Sequence, residues 1–153
     1  MAKEIERKYL VKNLTFKQKA MGIDIQQGYL NTHPARTVRI RLFGDQGLLT
    51  IKSRTQGFSR DEYEYTIPAT DAKAMLKLCE PGLIQKTRYT INHHQHVWEV
   101  DEFYGENAGL IIAEIELSVE NETFAMPSWV GQEVTGNKAY FNSMLCQKPF
   151  TQW

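Results

Sequence analysis

Pairs of like-charged residues separated by a single residue recur along this chain of 153 residues. The first such stretch is Glu4-Ile5-Glu6-Arg7-Lys8 near the N-terminus. If it forms a β-strand, successive side chains alternate between faces, so Glu4, Glu6 and Lys8 share one face. Grouped carboxylates can bind a divalent metal ion, although a single charged strand face more often only contacts water. The stretch therefore indicates a binding site only if the same spacing of like charges recurs along the chain.

Six later stretches repeat this spacing, and each carries charges of one sign. The basic pairs are Arg39/Arg41, Lys52/Arg54 and Lys86/Arg88, and the acidic pairs are Glu62/Glu64, Glu99/Asp101 and Glu114/Glu116. Neighbouring like charges repel in a bare sheet, so acidic pairs favour a divalent cation and basic pairs favour phosphate or carboxylate. A metal-bound polyphosphate would satisfy both kinds of pair.

The charges on this shared face are nearly balanced, with eight acids against seven bases. One divalent ion would bring the face from a net charge near −1 to about +1, so it would attract a polyanion when metal is present. Over the whole chain Lys plus Arg equals Asp plus Glu, 18 of each, which gives no indication of a nucleic-acid partner.

Length and composition are typical of one globular domain, here residues 1–153, because 42% of the residues are hydrophobic and 24% are charged. No apolar run of ~18 residues predicts a membrane span, and no signal peptide precedes the first charged stretch. We therefore expect a cytoplasmic protein without a membrane partner; a homodimer stays open. Cys79 and Cys146 fit no metal or redox spacing, and we interpret them as buried structural thiols.

Alternation and turn signals predict about eight strands and a few helices, most of them joined by short turns, which favours an antiparallel sheet. The predicted strands cover 3–11, 25–31, 38–42, 48–54, 60–67, 83–91, 97–104 and 110–119, and the predicted helices cover 13–20, 70–80 and 137–146. A His-rich turn at 92–96 is interpreted as a solvated hairpin tip rather than a metal site.

Two architectures accommodate such strands. In a sandwich the apolar faces meet and the charges contact water; in a barrel the charged faces can point inward while helices cover the apolar outside. Segregation of acids and bases strand by strand favours the barrel. Sequence motifs for P-loop or dinucleotide binding do not occur in the chain.

In their order along the chain, these motifs resemble those of the CYTH superfamily, the triphosphate tunnel metalloenzymes. The similar motifs are E-x-E-x-K at 4–8, R-x-R at 39–41, Lys52, E-x-E at 62–64, K-x-R at 86–88 and E-x-E at 114–116. The length resembles the small stand-alone bacterial tripolyphosphatases, without the helical C-terminal domain of longer members. The resemblance implies a mainly β (α+β) fold, an eight-stranded antiparallel β-barrel tunnel with a charged lumen and helices packed outside.

The resemblance also implies a metal-dependent hydrolase that cleaves the terminal phosphoanhydride of inorganic tripolyphosphate or a related triphosphate. It assigns Glu4, Glu6, Glu114 and Glu116 to Mg²⁺ or Mn²⁺. It assigns Lys8, Arg39, Arg41, Lys52, Arg54 and Arg88 to the phosphate chain. It assigns Glu62, Glu64, Glu99 and Asp101 to a supporting role, and Lys86 with Tyr29 to catalysis. For Arg54, Glu99 and Asp101, support through ion pairs and contact with the ligand both stay open.

Two questions stay open at this point. A lysine among other cations should have a lowered pKa, so Lys86 can be the general base, and a metal-bound water near Glu4 or Glu6 can fill the same role. An adenylyl cyclase or thiamine triphosphatase of the same superfamily would need a pocket for an organic group. A non-catalytic polyphosphate or nucleotide sensor would bind its ligand without turnover.

Overall fold

The computed structural model describes residues 2–153, in which strands dominate. The strands are β1 Ala2–Val11, β2 Gly22–Asn31, β3 Arg36–Phe43, β4 Gln46–Ser53, β5 Ser59–Ile67, β6 Ile84–His93, β7 His96–Phe103, β8 Ile111–Glu116 and β9 Val130–Glu133. The α-helices are α1 Ala69–Leu76 and α2 Asn142–Gln147, and single turns of 3-10 helix cover Thr15–Gln18, Gly105–Asn107, Lys138–Tyr140 and Phe150–Gln152. None of the helices in this range has the length and apolar character that a membrane span requires.

Eight of the strands close into an antiparallel barrel in the order β1-β5-β4-β3-β2-β6-β7-β8. Strand β1 closes it, because its first residues pair with β5 and its central residues pair with β8. The end of β1 pairs with β9, which lies outside the closed ring. The prediction of an eight-stranded antiparallel barrel is confirmed.

The apolar side chains of the strands point outward and are covered by the segments between and after them. Helix α1 packs Ala72 and Leu76 against Ile40 of β3. On the opposite side, Phe16 from the first 3-10 turn packs against Tyr89 and Trp129. This barrel therefore has its apolar core outside the strands and its charges inside, which is the second of the two architectures.

Two of the predicted helices are shorter in the structure, and one strand was not predicted. The helix expected at 13–20 is a single 3-10 turn after Asn13, whose side chain accepts a hydrogen bond from the Thr15 amide (3.1 Å). The helix expected at 70–80 ends at Leu76, because the Glu80 amide donates to the Tyr29 carbonyl (2.8 Å) and draws the chain towards β2. Strand β9 was not predicted, since its four residues are too few to establish an alternation.

The helix expected at 137–146 is divided in two by Phe141, which is extended between the 3-10 turn and α2. Its ring lies 5.3 Å from the Nζ atom of Lys8 and 5.8 Å from the guanidinium of Arg60. These cation–π contacts hold Phe141 at the barrel interior, so the backbone departs from helical geometry there.

A glycine fixes where α2 docks on the barrel. Gly82 has a φ of +98°, and a Cβ at this position would collide with the backbone carbonyl of Cys146 in α2. Only a residue without a side chain lets the α1–β6 connection approach α2 so closely.

We expect Gly82→Ala to lower the free energy of unfolding more than Gly105→Ala. Both glycines have positive φ, so each alanine costs about 1–2 kcal/mol of backbone strain. Gly105 has nothing within 4 Å of the added Cβ, whereas Gly82 contacts Cys146, which adds about 1–3 kcal/mol. Urea unfolding of both variants measures the difference; equal losses would contradict the close packing of α2.

Candidate active site

A polar cavity of about 310 Å³ occupies the barrel interior, here called the lumen. It is lined by side chains of the barrel strands and of the segment that begins α2. Its lining residues are Glu4, Glu6, Lys8, Tyr29, Thr37, Arg39, Arg41, Thr50, Lys52, Arg60, Glu62, Glu64, Lys86, Arg88, Val97, Glu99, Glu114, Glu116, Phe141, Asn142 and Ser143. Apart from Arg54 and Asp101, every residue that the sequence assigned to the site lines this cavity.

Asp101 lies beneath the cavity and binds two of its cations. Its carboxylate contacts the Nζ atom of Lys86 at 2.7 Å and accepts two hydrogen bonds from Arg88, at 2.8 and 2.9 Å. Burial opposes ionisation of Asp101, but Arg88 and Lys86 outweigh it and hold its pKa well below the usual range. Since Asp101 is only 1% exposed, it supports the two cations from below and does not face the lumen.

Lys86 is 2% exposed, and burial lowers its pKa to about 7. Arg88 and Arg41 add to this decrease, while Asp101 opposes it. Close to neutral pH the side chain of Lys86 can therefore exist as a neutral amine, which is the form that accepts a proton in general-base catalysis.

Arg41 has little compensation for its charge. It is 6% exposed, its Nε atom donates to the side-chain oxygen of Gln27 (2.8 Å), and among residues 2–153 no carboxylate lies within 4.0 Å of it. Burial, Arg39 and Arg88 lower its pKa. A buried guanidinium without an acidic partner is costly, so this position calls for an anion from outside the protein.

Arg39 is in a similar situation. It forms an ion pair with Glu64 at 3.6 Å, and it donates a hydrogen bond of 3.2 Å to Thr50, which in turn donates to Glu64 at 3.0 Å. Among residues 2–153 its buried Nε atom has no hydrogen-bond partner, which leaves a charged donor available to a ligand.

Glu4 is held by cations. It accepts two hydrogen bonds from Lys52, at 2.8 and 3.0 Å, and one from Arg60 at 3.1 Å. Burial opposes its ionisation, but Lys52 and Arg60 prevail and lower its pKa to about 2. Lys52 also lies 3.4 Å from Glu62, so it bridges two acids.

The other acids of the predicted metal set, Glu6, Glu114 and Glu116, lie on the paired strands β1 and β8. Glu6 is paired in register with Glu116, and burial together with Glu114 and Glu4 raises the pKa of Glu6 well above its usual range. Lys8 lies 3.8 Å from Glu114 and outweighs the effect of burial, so the pKa of Glu114 is lowered to about 2. A carboxyl that retains a proton because acids surround it fits a position where a divalent cation would replace that proton.

The complete set of ligands is not assembled in this conformation. Within the described range, no three acidic, histidine or cysteine side chains converge closely enough to hold a metal ion. Glu4 instead pairs with Lys52 and Arg60. The carboxylates of Glu6, Glu114 and Glu116 nevertheless offer the hard oxygen ligands that Mg²⁺ and Mn²⁺ prefer.

Arg54 does not line the cavity, so the structure does not bring it together with the other residues assigned to the phosphate chain. Strand β4 ends at Ser53, and the exposed Arg54 follows where alternation no longer governs the side-chain direction. Tyr29 and Lys86 both line the cavity, as expected. Gln27 lies on β2 between Tyr29 and Ile25, which is the register partner of Lys86.

The sequence analysis missed several residues that line the cavity, among them Arg60, Phe141 and Asn142, and it missed the buried Gln27 beside it. Arg60 shares the parity of Glu62 and Glu64 on β5, so its alternation could have revealed it. Gln27 shares the parity of Tyr29 on β2 in the same way. Phe141 and Asn142 carry no local signal, because their position depends on how the C-terminal segment packs across the barrel.

The antiparallel barrel and its charged lumen are the features that the resemblance to the CYTH superfamily implies, and a comparison with known families agrees. The CYTH domain model matches residues 2–144, so the chain belongs to the CYTH domain family. A protein of Acetivibrio thermocellus named inorganic triphosphatase is 48% identical over 151 residues, covering 98% of this chain and 97% of that protein. A second protein of that name, from Nitrosomonas europaea, is 36% identical over 148 residues, covering 93% of this chain and 95% of its own length.

A solved structure described as an inorganic triphosphatase superposes on this chain with a TM-score of 0.68 at 32% sequence identity. The similarity covers 93% of this chain and 96% of that one. The resemblance inferred from the charged motifs is therefore confirmed at the level of the family.

We expect Asp101→Asn to lower the free energy of unfolding by about 3–5 kcal/mol, because it leaves Lys86 and Arg88 buried without their shared acid. The matched control is Glu99→Gln, since the Glu99 side chain is 42% exposed and contacts Arg88 at 3.3 Å; it should cost less than about 1 kcal/mol. Urea unfolding at pH 7 measures both.

The same pair predicts a pH dependence. Because the pKa of Asp101 is depressed in the folded state, its stabilisation is present above the ordinary value of 3.8 and is lost as the pH falls through the folded-state pKa. The difference between wild type and Asp101→Asn should shrink below pH 3.8. A difference that grows on acidification would contradict the ion-pair assignment.

Proposed function

We propose that this protein is a metal-dependent triphosphatase that cleaves the terminal phosphoanhydride of inorganic tripolyphosphate. The observation that supports this most strongly is the excess of buried positive charge around Arg41. Lys86 and Arg88 share the buried acid Asp101, Arg88 has the partly exposed Glu99 as a second partner, and Arg41 and Arg39 face the same cavity with little compensation. A chain of phosphates would supply several negative charges in a line and would complete the hydrogen bonds of these donors.

The lining of the cavity favours phosphates over a nucleobase or another organic group. Its aromatic side chains are Tyr29 and Phe141, and the Phe141 ring already contacts Lys8 and Arg60. A base would need a free apolar or aromatic surface and a few neutral hydrogen-bonding groups. The names of the two relatives in Acetivibrio and Nitrosomonas support the same substrate class.

For the metal, we propose Mg²⁺ or Mn²⁺ held by Glu6, Glu114 and Glu116, with Glu4 as the fourth carboxylate of the set. Hard divalent ions prefer such oxygen ligands. When bound, the ion neutralises charge on the phosphate oxygens as the anhydride breaks. Glu62 and Glu64 orient the cations Lys52 and Arg39, to which they are paired.

Lys86 is the proposed proton acceptor. In the neutral form that its lowered pKa makes available, its Nζ atom takes a proton from the attacking water. The fixed cations Arg39, Arg41 and Arg88 stabilise the charge that develops on the transferred phosphoryl group. Tyr29, in register with Arg39, would orient the chain at the scissile bond.

The test of this function is phosphate release from tripolyphosphate, pyrophosphate, ATP and thiamine triphosphate, each with Mg²⁺ and with Mn²⁺. We expect metal-dependent release from tripolyphosphate above all others. Formation of cyclic AMP from ATP would assign the protein to an adenylyl cyclase activity instead. Tight binding of tripolyphosphate without any release would make it a sensor.

We expect Arg41→Ala to raise the KM for tripolyphosphate by about tenfold or more, because a buried charge-assisted contact to phosphate is lost. Arg36→Ala is the matched control, since Arg36 lies exposed on the same strand and does not line the cavity. Steady-state kinetics of both variants tests the assignment. Equal KM values for the two variants would contradict it.

We expect Glu116→Gln to need about tenfold or more Mg²⁺ for half-maximal rate, because one charged ligand is replaced by a neutral one. Glu102→Gln should behave as wild type, since Glu102 pairs with Lys17 at 3.0 Å outside the lumen. Chelation of the metal should abolish release in all three proteins. A metal requirement that is unchanged in Glu116→Gln would contradict the proposed ligand set.

A further inference from the structure

Asn142, at the start of α2, extends into the lumen and contacts two groups of the site. Its side-chain oxygen accepts a hydrogen bond from the Nζ atom of Lys86 at 2.9 Å and another from the side-chain nitrogen of Gln27, also at 2.9 Å. The residue is far from both in sequence and is brought there by the C-terminal segment.

Gln27 links this contact to the phosphate-binding arginines. It is fully buried, and its side-chain oxygen accepts from the Nε atom of Arg41 at 2.8 Å. Because a guanidinium can only donate, Arg41 fixes the Gln27 amide with its oxygen towards Arg41 and its nitrogen towards Asn142. This in turn directs the oxygen of Asn142 towards Lys86, so the orientations of both amides are determined.

We propose that Asn142 is a positioning residue that holds Lys86 and, through Gln27, Arg41 in place for the triphosphate. This inference rests on the proposed function and extends it to a segment outside the barrel. Neutral amides suit the task because they accept hydrogen bonds from both cations without cancelling the positive charge that binds phosphate. A carboxylate in the same place would compete with the substrate.

The packing of α2 makes this role rigid. Leu145 and Cys146 are buried against the outer wall of the barrel, and Phe141 is held between Lys8 and Arg60. The other groups that face Lys86 are Asp101 on β7, Arg88 on β6, Arg41 on β3, Glu114 on β8 and the ring of Phe103, at 5.4 Å.

Two substitutions test the role of Asn142. Asn142→Asp keeps an acceptor of the same shape and adds a negative charge beside Lys86, so the titration of Lys86 should move to higher pH by about one unit or more. Asn142→Ala removes the acceptor and should lower kcat/KM for tripolyphosphate by about tenfold or more. Asn137→Ala is the control, because Asn137 caps the preceding 3-10 turn outside the lumen and should retain the wild-type rate.

Two readouts separate positioning from mere structural support. One is the pH profile of kcat/KM with tripolyphosphate and Mg²⁺, and the other is the titration of ¹³C-labelled Lys86 followed by NMR without substrate. A shift of the Lys86 titration in Asn142→Asp, with loss of rate in Asn142→Ala, is the expected result. An unmoved Lys86 titration in Asn142→Asp, or a rate within about twofold of wild type in Asn142→Ala, would overturn the proposal.

The two readouts also distinguish this inference from the proposed function. Failure of the wild-type protein to release phosphate from any triphosphate would overturn the function itself. The NMR titration needs no turnover, so it decides separately whether Asn142 holds Lys86. If Asn142→Asp does not fold, the titration of Lys86 in Asn142→Ala replaces it, and an unchanged midpoint there overturns the proposal.

Discussion

The structure depends on one electrostatic imbalance at the centre of the barrel. A single buried acid, Asp101, is shared by Lys86 and Arg88, and Arg41 lies beside them with no carboxylate within 4.0 Å in the described part of the chain. Burying cations in this way is unfavourable without a counter-charge, so the native state retains them at a cost in stability. That cost is offset when an anion enters. The imbalance therefore favours an anion in the lumen and requires that the surrounding strands hold the cations rigidly.

Placing charges inside the barrel reverses the usual arrangement of the core. The apolar side chains of the strands face outward and need cover, which α1, the Phe16 turn and the C-terminal segment provide. The C-terminal segment has two roles as a consequence. It buries Leu145 and Cys146 against the outer wall, and it inserts Phe141 and Asn142 into the lumen. Stability of the outer packing and geometry of the site are thus coupled through α2, and Gly82 is the residue that permits this docking.

The sequence was informative wherever a property depended on local alternation. Same-sign pairs such as Arg39/Arg41 and Glu114/Glu116 predicted the strands, the inward charged face and most of the cavity lining. Arg54 lies outside the cavity because its strand ends one residue earlier than predicted, and that boundary depends on tertiary contacts. Asn142 could not be predicted, since its place in the lumen results from long-range packing of α2. The ion pairs of Glu4 with Lys52 and Arg60 could not be predicted either, because Glu4 meets Arg60 where β1 pairs with β5.

The most direct test is a crystal structure of the protein with tripolyphosphate and Mn²⁺, with the metal located by its anomalous scattering. We expect phosphates in the lumen against Arg39 and Arg41, and a Mn²⁺ peak at the carboxylates of Glu6 and Glu116. Tripolyphosphate bound outside the barrel, or a metal ion away from these acids, would contradict the claim that the paired charges form one site for a metal-bound polyphosphate.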